Sequence, residues 1–109
     1  MVRVTVFREQ GIPVGFELTG HANQGAYGED LVCAGISAIT ETALLGITDV
    51  LQLDAAMARE EGHVRCELSR ETSPEDVKKA AIVFNTMIAG LTSLQRAYPK
   101  SLKFSYREV

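Results

Sequence analysis

Cysteine is scarce in this chain of 109 residues, and two copies do not make a disulfide framework. No secretory signal and no unbroken apolar run of membrane length is visible. The stretch nearest to one, Ile36 to Ile47, is interrupted by Ser, Thr, Glu and Gly and reads as a buried helix. A reducing cytoplasm is therefore the expected compartment, with no membrane as partner. Also missing is a stripe of Lys and Arg. With a net charge of -3 and a pI of about 5.3, direct nucleic-acid binding is not expected. There is no low-complexity tract, long linker or repeat, so residues 1–109 read as a single domain. The hydrophobic share of 46% is ordinary for a globular protein and allows one compact core.

What is present follows two periods. Val2, Val4 and Val6 alternate along Val2 to Arg8, then EQGIP supplies a turn with Gly11 and Pro13. Val14, Phe16 and Leu18 resume the alternation, which predicts a β-hairpin. From His21 to Glu29 no period survives, and a mobile surface loop is expected there. Asp30 is a suitable N-cap for a helix whose apolar face carries Val32, Ile36, Ile39, Ala43, Ile47 and Val50. Gly46 inside it implies close packing. A second hairpin joins Ala56–Glu60 to His63–Ser69 through Glu61-Gly62, with Val64, Cys66 and Leu68 on one face and His63 in solvent. Ser73-Pro74-Glu75-Asp76 starts a second helix with the stripe Val77, Ala81, Phe84, Ile88 and Leu91. Pro99 closes it, and Leu102, Phe104 and Tyr106 alternate in a last strand. The order ββαββαβ predicts an α+β fold, two helices on a mainly antiparallel sheet.

The chemistry gathers in GHANQGAYGEDLVCAGIS, Gly20 to Ser37. Cys33 is expected in the first turn of the helix, where free backbone N–H groups favour a thiolate and offer an oxyanion site. His21 lies twelve residues earlier, at the end of a predicted strand. An imidazole can accept a thiol proton and later protonate a leaving amine, so the pair suits a cysteine hydrolase, above all a protease. Asp30, Cys33 and Ser37 share a helical face. Asp30 can cap the helix, orient His21, or both; pointed at Cys33 it would oppose the dipole. A phosphate cradle is disfavoured by Glu29 and Asp30 and by the missing Walker lysine. A metal site from His21, Asp30 and Cys33 lacks a fourth ligand, so neither metal nor cofactor is expected.

The same stretch resembles the signature of the ribosomal-processing cysteine proteases, the Prp family. The matching residues are Gly20-His21-Ala22, Gly28, Asp30, Val32-Cys33-Ala34 and Ser37. Gly35 stands where that family more often has alanine. The resemblance implies a Cys-His dyad of Cys33 and His21, with Asp30 and Ser37 in support. It implies a substrate loop carrying Ala22, Gly25, Tyr27 and Gly28 that moves on binding, and a homodimer. The implied substrate is the N-terminally extended large-subunit ribosomal protein twenty-seven, trimmed before ribosome assembly. From another class comes a dimeric ribosome-associated interaction module that keeps the motif without activity. A redox thiol protein ranks below both, because Cys66, the only resolving partner, alternates into the core.

Overall fold

A computed structural model of the chain describes residues 1–20 and 27–109, with the backbone alone for 27–30. Its elements are β1 (Val2–Glu9), β2 (Ile12–Thr19), α1 (Tyr27–Leu45), a π-helical turn (Gly46–Val50), β3 (Ala55–Glu60), β4 (His63–Leu68), α2 (Pro74–Ala97) and β5 (Leu102–Glu108). This is the expected ββαββαβ order. The strands form one sheet in the order β3-β4-β2-β1-β5. All pairings are antiparallel except β1 with β5, so the sheet is mixed and β2 lies at its centre.

The sheet's faces follow from the alternation. β1 and β2 pair Val6 with Phe16 and Val4 with Leu18, and β4 sets Cys66 opposite Phe16. All five are buried in one core with the inner faces of α1 and α2. Phe16 meets Phe84 of α2 edge to face, with ring centroids 5.9 Å apart. The turn between β1 and β2 is Gln10-Gly11, with φ of 52° and 80°. Two positive φ values in a two-residue loop match the twist of the strands it joins. On the face away from the helices Phe7 is fully buried, because the guanidinium groups of Arg65 and Arg107 cover its ring.

In α2 the Ser73 hydroxyl accepts the Asp76 N–H at 3.1 Å and Pro74 opens the helix, as expected. The buried stripe is Ala80, Phe84, Met87 and Leu91. It is turned slightly from the expected one: Ala80 replaces Ala81, and Met87 joins while Ile88 is only half-buried. In α1 Val32, Ile36, Ala43 and Ile47 are buried as expected, and so is Leu44. Val50 is not: it is 77% exposed. The cause is the π turn, where Leu51 N–H donates to Gly46 O at 2.9 Å, five residues back. The wider turn rotates Val50 off the core face. Gly46 does mark close packing, since a Cβ there would stand 2.9 Å from Val83 Cγ1. The segment Leu31–Val50 is long and apolar enough to span a membrane, but its buried residues fill the core beside the sheet.

Phe84 carries the contact between α2 and the central strand. Phe84→Ala is expected to cost about 3–5 kcal/mol through lost transfer energy and a cavity. Urea unfolding checks this: a midpoint close to that of the parent chain would contradict the packing described.

Candidate active site

Helix α1 begins at Tyr27, four residues before Leu31, the first helical position expected with Asp30 as the cap. Asp30 is thus in the first turn, where an acid also suits the positive end of the dipole, which is why the sequence alone misplaces the start. Cys33 moves with it, from the first turn to the second. Its own N–H is no longer among the free groups at the helix end, which belong to 27–30. A helical Cα–Cβ bond tilts toward the N-terminus, so the thiol still leans back over that first turn. The expected loop also shortens, because the backbone of Tyr27, Gly28 and Glu29 is helical. His21, Ala22 and Gly25 lie outside the described residues, as do the side chains of Tyr27 and Asp30.

Burial of Val32 and Ile36 fixes the rotation of α1 about its axis. The flank between them then faces a cleft of about 610 Å³, within the range of ligand pockets. Among the described residues Cys33, Ser37, Thr40 and Glu41 of α1 line one side. Leu18 and Gly20 at the end of β2, with the β3–β4 turn from Arg59 to His63, line the other. The expected juxtaposition of Cys33 and Ser37 therefore holds, with Cys33 half-buried and Ser37 exposed. Arg59 reaches across to Glu41 at 3.2 Å. Both side chains are about half exposed, 47% and 49%, so the bridge contributes well under about 1 kcal/mol. Glu60 and Glu61 beside it are exposed as well.

Gly20 closes the wall where β2 ends. Its N–H donates to Gly62 O at 3.0 Å, tying β2 to the β3–β4 turn. Its φ is 94°, and a Cβ would lie 2.7 Å from the Met1 carbonyl. Only glycine fits that conformation and that approach.

His63 does not behave as a solvated residue. Its Nε2 lies 2.7 Å from Glu17 Oε2, and the ring is about one-third exposed. Alternation places it with Arg65 and Glu67 on the helix-free face; its strand borders the cleft while its ring is engaged with Glu17. The cross-strand carboxylate is what the sequence did not reveal, being 46 residues away.

The alternation of Cys66 with Val64 and Leu68 is borne out, while Cys33 lies half-buried on α1. Cys66 is fully buried opposite Phe16, and burial pushes its thiol up to about 12 from an ordinary 9.0. A thiol held neutral in the core is neither a nucleophile nor a resolving partner. Thr40 and Arg59 are cleft residues that motif reasoning overlooked. The signal for Thr40 was available, since it lies seven positions after Cys33 on the same helical face. Its Oγ1 is buried without a hydrogen-bond partner among the described residues, a condition that costs about 1–3 kcal/mol. No cluster of three metal-ligating side chains occurs among the described residues.

In the folded protein a small alkylating reagent at neutral pH is expected to leave Cys66 unmodified until denaturant is added. Above pH about 9 the unfolded state loses the Cys66 proton that the native state keeps to about 12. Stability should therefore fall with rising pH across that window, and Cys66→Ala should flatten the fall. Identical pH slopes for the two proteins would contradict the burial argument.

The comparisons with known proteins identify the family. The family model described as Cysteine protease Prp matches residues 1–103. The ribosomal processing cysteine protease Prp of Bacillus subtilis (strain 168) is 31% identical over 107 residues, spanning 94% of this chain and 95% of its own. The crystal structure of SMU.848 from Streptococcus mutans is 28% identical with a TM-score of 0.81, covering 100% of this chain and 96% of that one. An essential ribosomal processing protease Prp from S. aureus, solved with a covalently linked product peptide, has a TM-score of 0.82 over 98% of this chain and 100% of its own. At 23% identity that last likeness speaks for the fold. A matching family model over nearly the whole length, together with a relative at this identity, establishes that the chain belongs to the Prp family of cysteine proteases.

Proposed function

We propose that this protease removes the N-terminal extension of large-subunit ribosomal protein twenty-seven, with Cys33 as nucleophile and His21 as base. The observation that carries the reading is the cleft itself. Cys33 lines it, and so does Gly20, to which His21 is bonded. The cleft of about 610 Å³ is of the size that holds ligands, and the other thiol is withdrawn into the core. The relatives' names supply the ribosomal context.

The chemistry needs only these groups. His21 takes the Cys33 proton, and the thiolate attacks the scissile carbonyl carbon to form a C–S bond. In this reading the free N–H groups in the first turn of α1, toward which the Cys33 side chain tilts, serve the developing oxyanion. As the C–N bond breaks, the imidazolium gives its proton to the leaving amine. Water, deprotonated by His21, then cleaves the thioester, releasing the carboxylate product and restoring the thiol. In this reading Asp30 orients His21 and Ser37 supports the substrate beside Cys33. The exposed Leu31, Leu45 and Ile82 on the helices' outer side support a homodimer. Ribosome assembly sets the cytoplasm as the place of action.

Incubation with the extended ribosomal protein, reading the new N-terminus by mass spectrometry, tests the reading. Cys33→Ala is expected to abolish cleavage. His21→Ala should lose about 10²-fold or more, as removal of a general base does. Cys66→Ala should keep turnover at some cost in stability. Cleavage by Cys33→Ala, or none by the parent chain, would overturn the assignment. Sedimentation at micromolar concentration should show a dimer; a fully active monomer would refute that part.

A further inference from the structure

We propose that Thr40 is a substrate-binding residue, whose hydroxyl hydrogen-bonds the main chain of the bound peptide about three residues from the scissile bond. The inference rests on the protease reading above and deepens it.

The observation is a contrast among the threonines of the helical segments. Thr42, Thr48, Thr86 and Thr92 each donate to the carbonyl four residues back, Ala38 O at 2.7 Å, Leu44 O at 3.1 Å, Ile82 O at 2.6 Å and Ile88 O at 2.7 Å. That bond is the ordinary way for a helical threonine to satisfy its hydroxyl. Thr40 does not make it, although it is only 3% exposed and so the one that most needs a partner. A buried hydroxyl with no partner calls for an explanation. Here it belongs to a residue in the cleft wall, on the same flank as Cys33 and Ser37.

The spacing fits an extended peptide. Seven helical residues advance about 10 Å along α1, and an extended chain covers that distance in about three residues at roughly 3.3 Å each. A peptide whose scissile carbonyl sits at Cys33 and which runs along α1 therefore brings its main chain alongside Thr40. Main-chain N–H and C=O groups occur at every residue, and a hydroxyl can serve either, as donor or acceptor. Thr40 is 3% exposed, so the contact requires a rotation about χ1 that turns the hydroxyl toward the cleft. The role is recognition of length: a segment that stays extended along the helix makes the bond, and a short or folded one does not.

Thr40→Val keeps the shape and removes the hydroxyl, whereas Thr40→Ser keeps the hydroxyl. With the parent ribosomal extension peptide, Thr40→Val is expected to raise KM about three- to tenfold, the range of one neutral hydrogen bond, with kcat little changed. Thr40→Ser should recover most of the loss. Thr40→Val should melt at the same or a higher temperature, because it removes an unpaired buried polar group. Trimming the peptide to two residues on the side of the scissile bond that runs along α1 should cost the parent chain a similar factor. The two losses should not add. Equal KM for the parent chain and Thr40→Val on the long peptide, or fully additive losses, would overturn the proposal while cleavage by the parent chain leaves the protease reading standing. Absence of cleavage by the parent chain would remove both.

Discussion

The burial of Val32 and Ile36 against the sheet is the contact on which the rest of the site depends. These two residues, 3% and 4% exposed, fix the rotation of α1, and rotation decides what faces the cleft. Cys33 lies between them in sequence and on their flank in space. Ser37 and Thr40 follow at helical spacing, so the proposed nucleophile, its neighbour and the proposed binding hydroxyl occupy one line. A helix turned by one residue would send Cys33 into the core, where Cys66 shows what becomes of a thiol's acidity.

The opposite wall depends on the central strand. β2 is paired on both sides, with β1 and β4, so its end is held firmly. The Gly20 N–H bond to Gly62 and its close approach to the Met1 carbonyl fix the point from which the chain leaves toward His21. A positive φ at Gly20 turns the chain away from the strand direction. The glycine before the histidine in the motif thus has a physical reason, independent of the family likeness.

Much of this was readable from sequence, for local reasons. Alternation located β1, β2, β4 and β5, and the cap Ser73 with Pro74 located the start of α2 to the residue. Cys66 was assigned to the core by its neighbours alone. What was not readable depended on the third dimension. Asp30 satisfies the rules for a cap and for a first-turn acid equally, so the start of α1 was misplaced. The π turn that exposes Val50 has no local signature. The sequence alone reads His63 as solvated because Glu17 is its neighbour only across β2 and β4. The cleft's second wall comes from a hairpin remote from the motif, which no inspection of Gly20 to Ser37 could supply.

The central claim is that cleavage passes through a thioester on Cys33. The direct measurement is intact-protein mass spectrometry on the parent chain, acid-quenched during turnover of the extended ribosomal protein, followed by peptide mapping. The account predicts an adduct equal in mass to the N-terminal fragment less one water, carried by the peptide that contains Cys33 and lost on longer incubation. Turnover with no adduct at any time, or an adduct carried by Cys66, would contradict it.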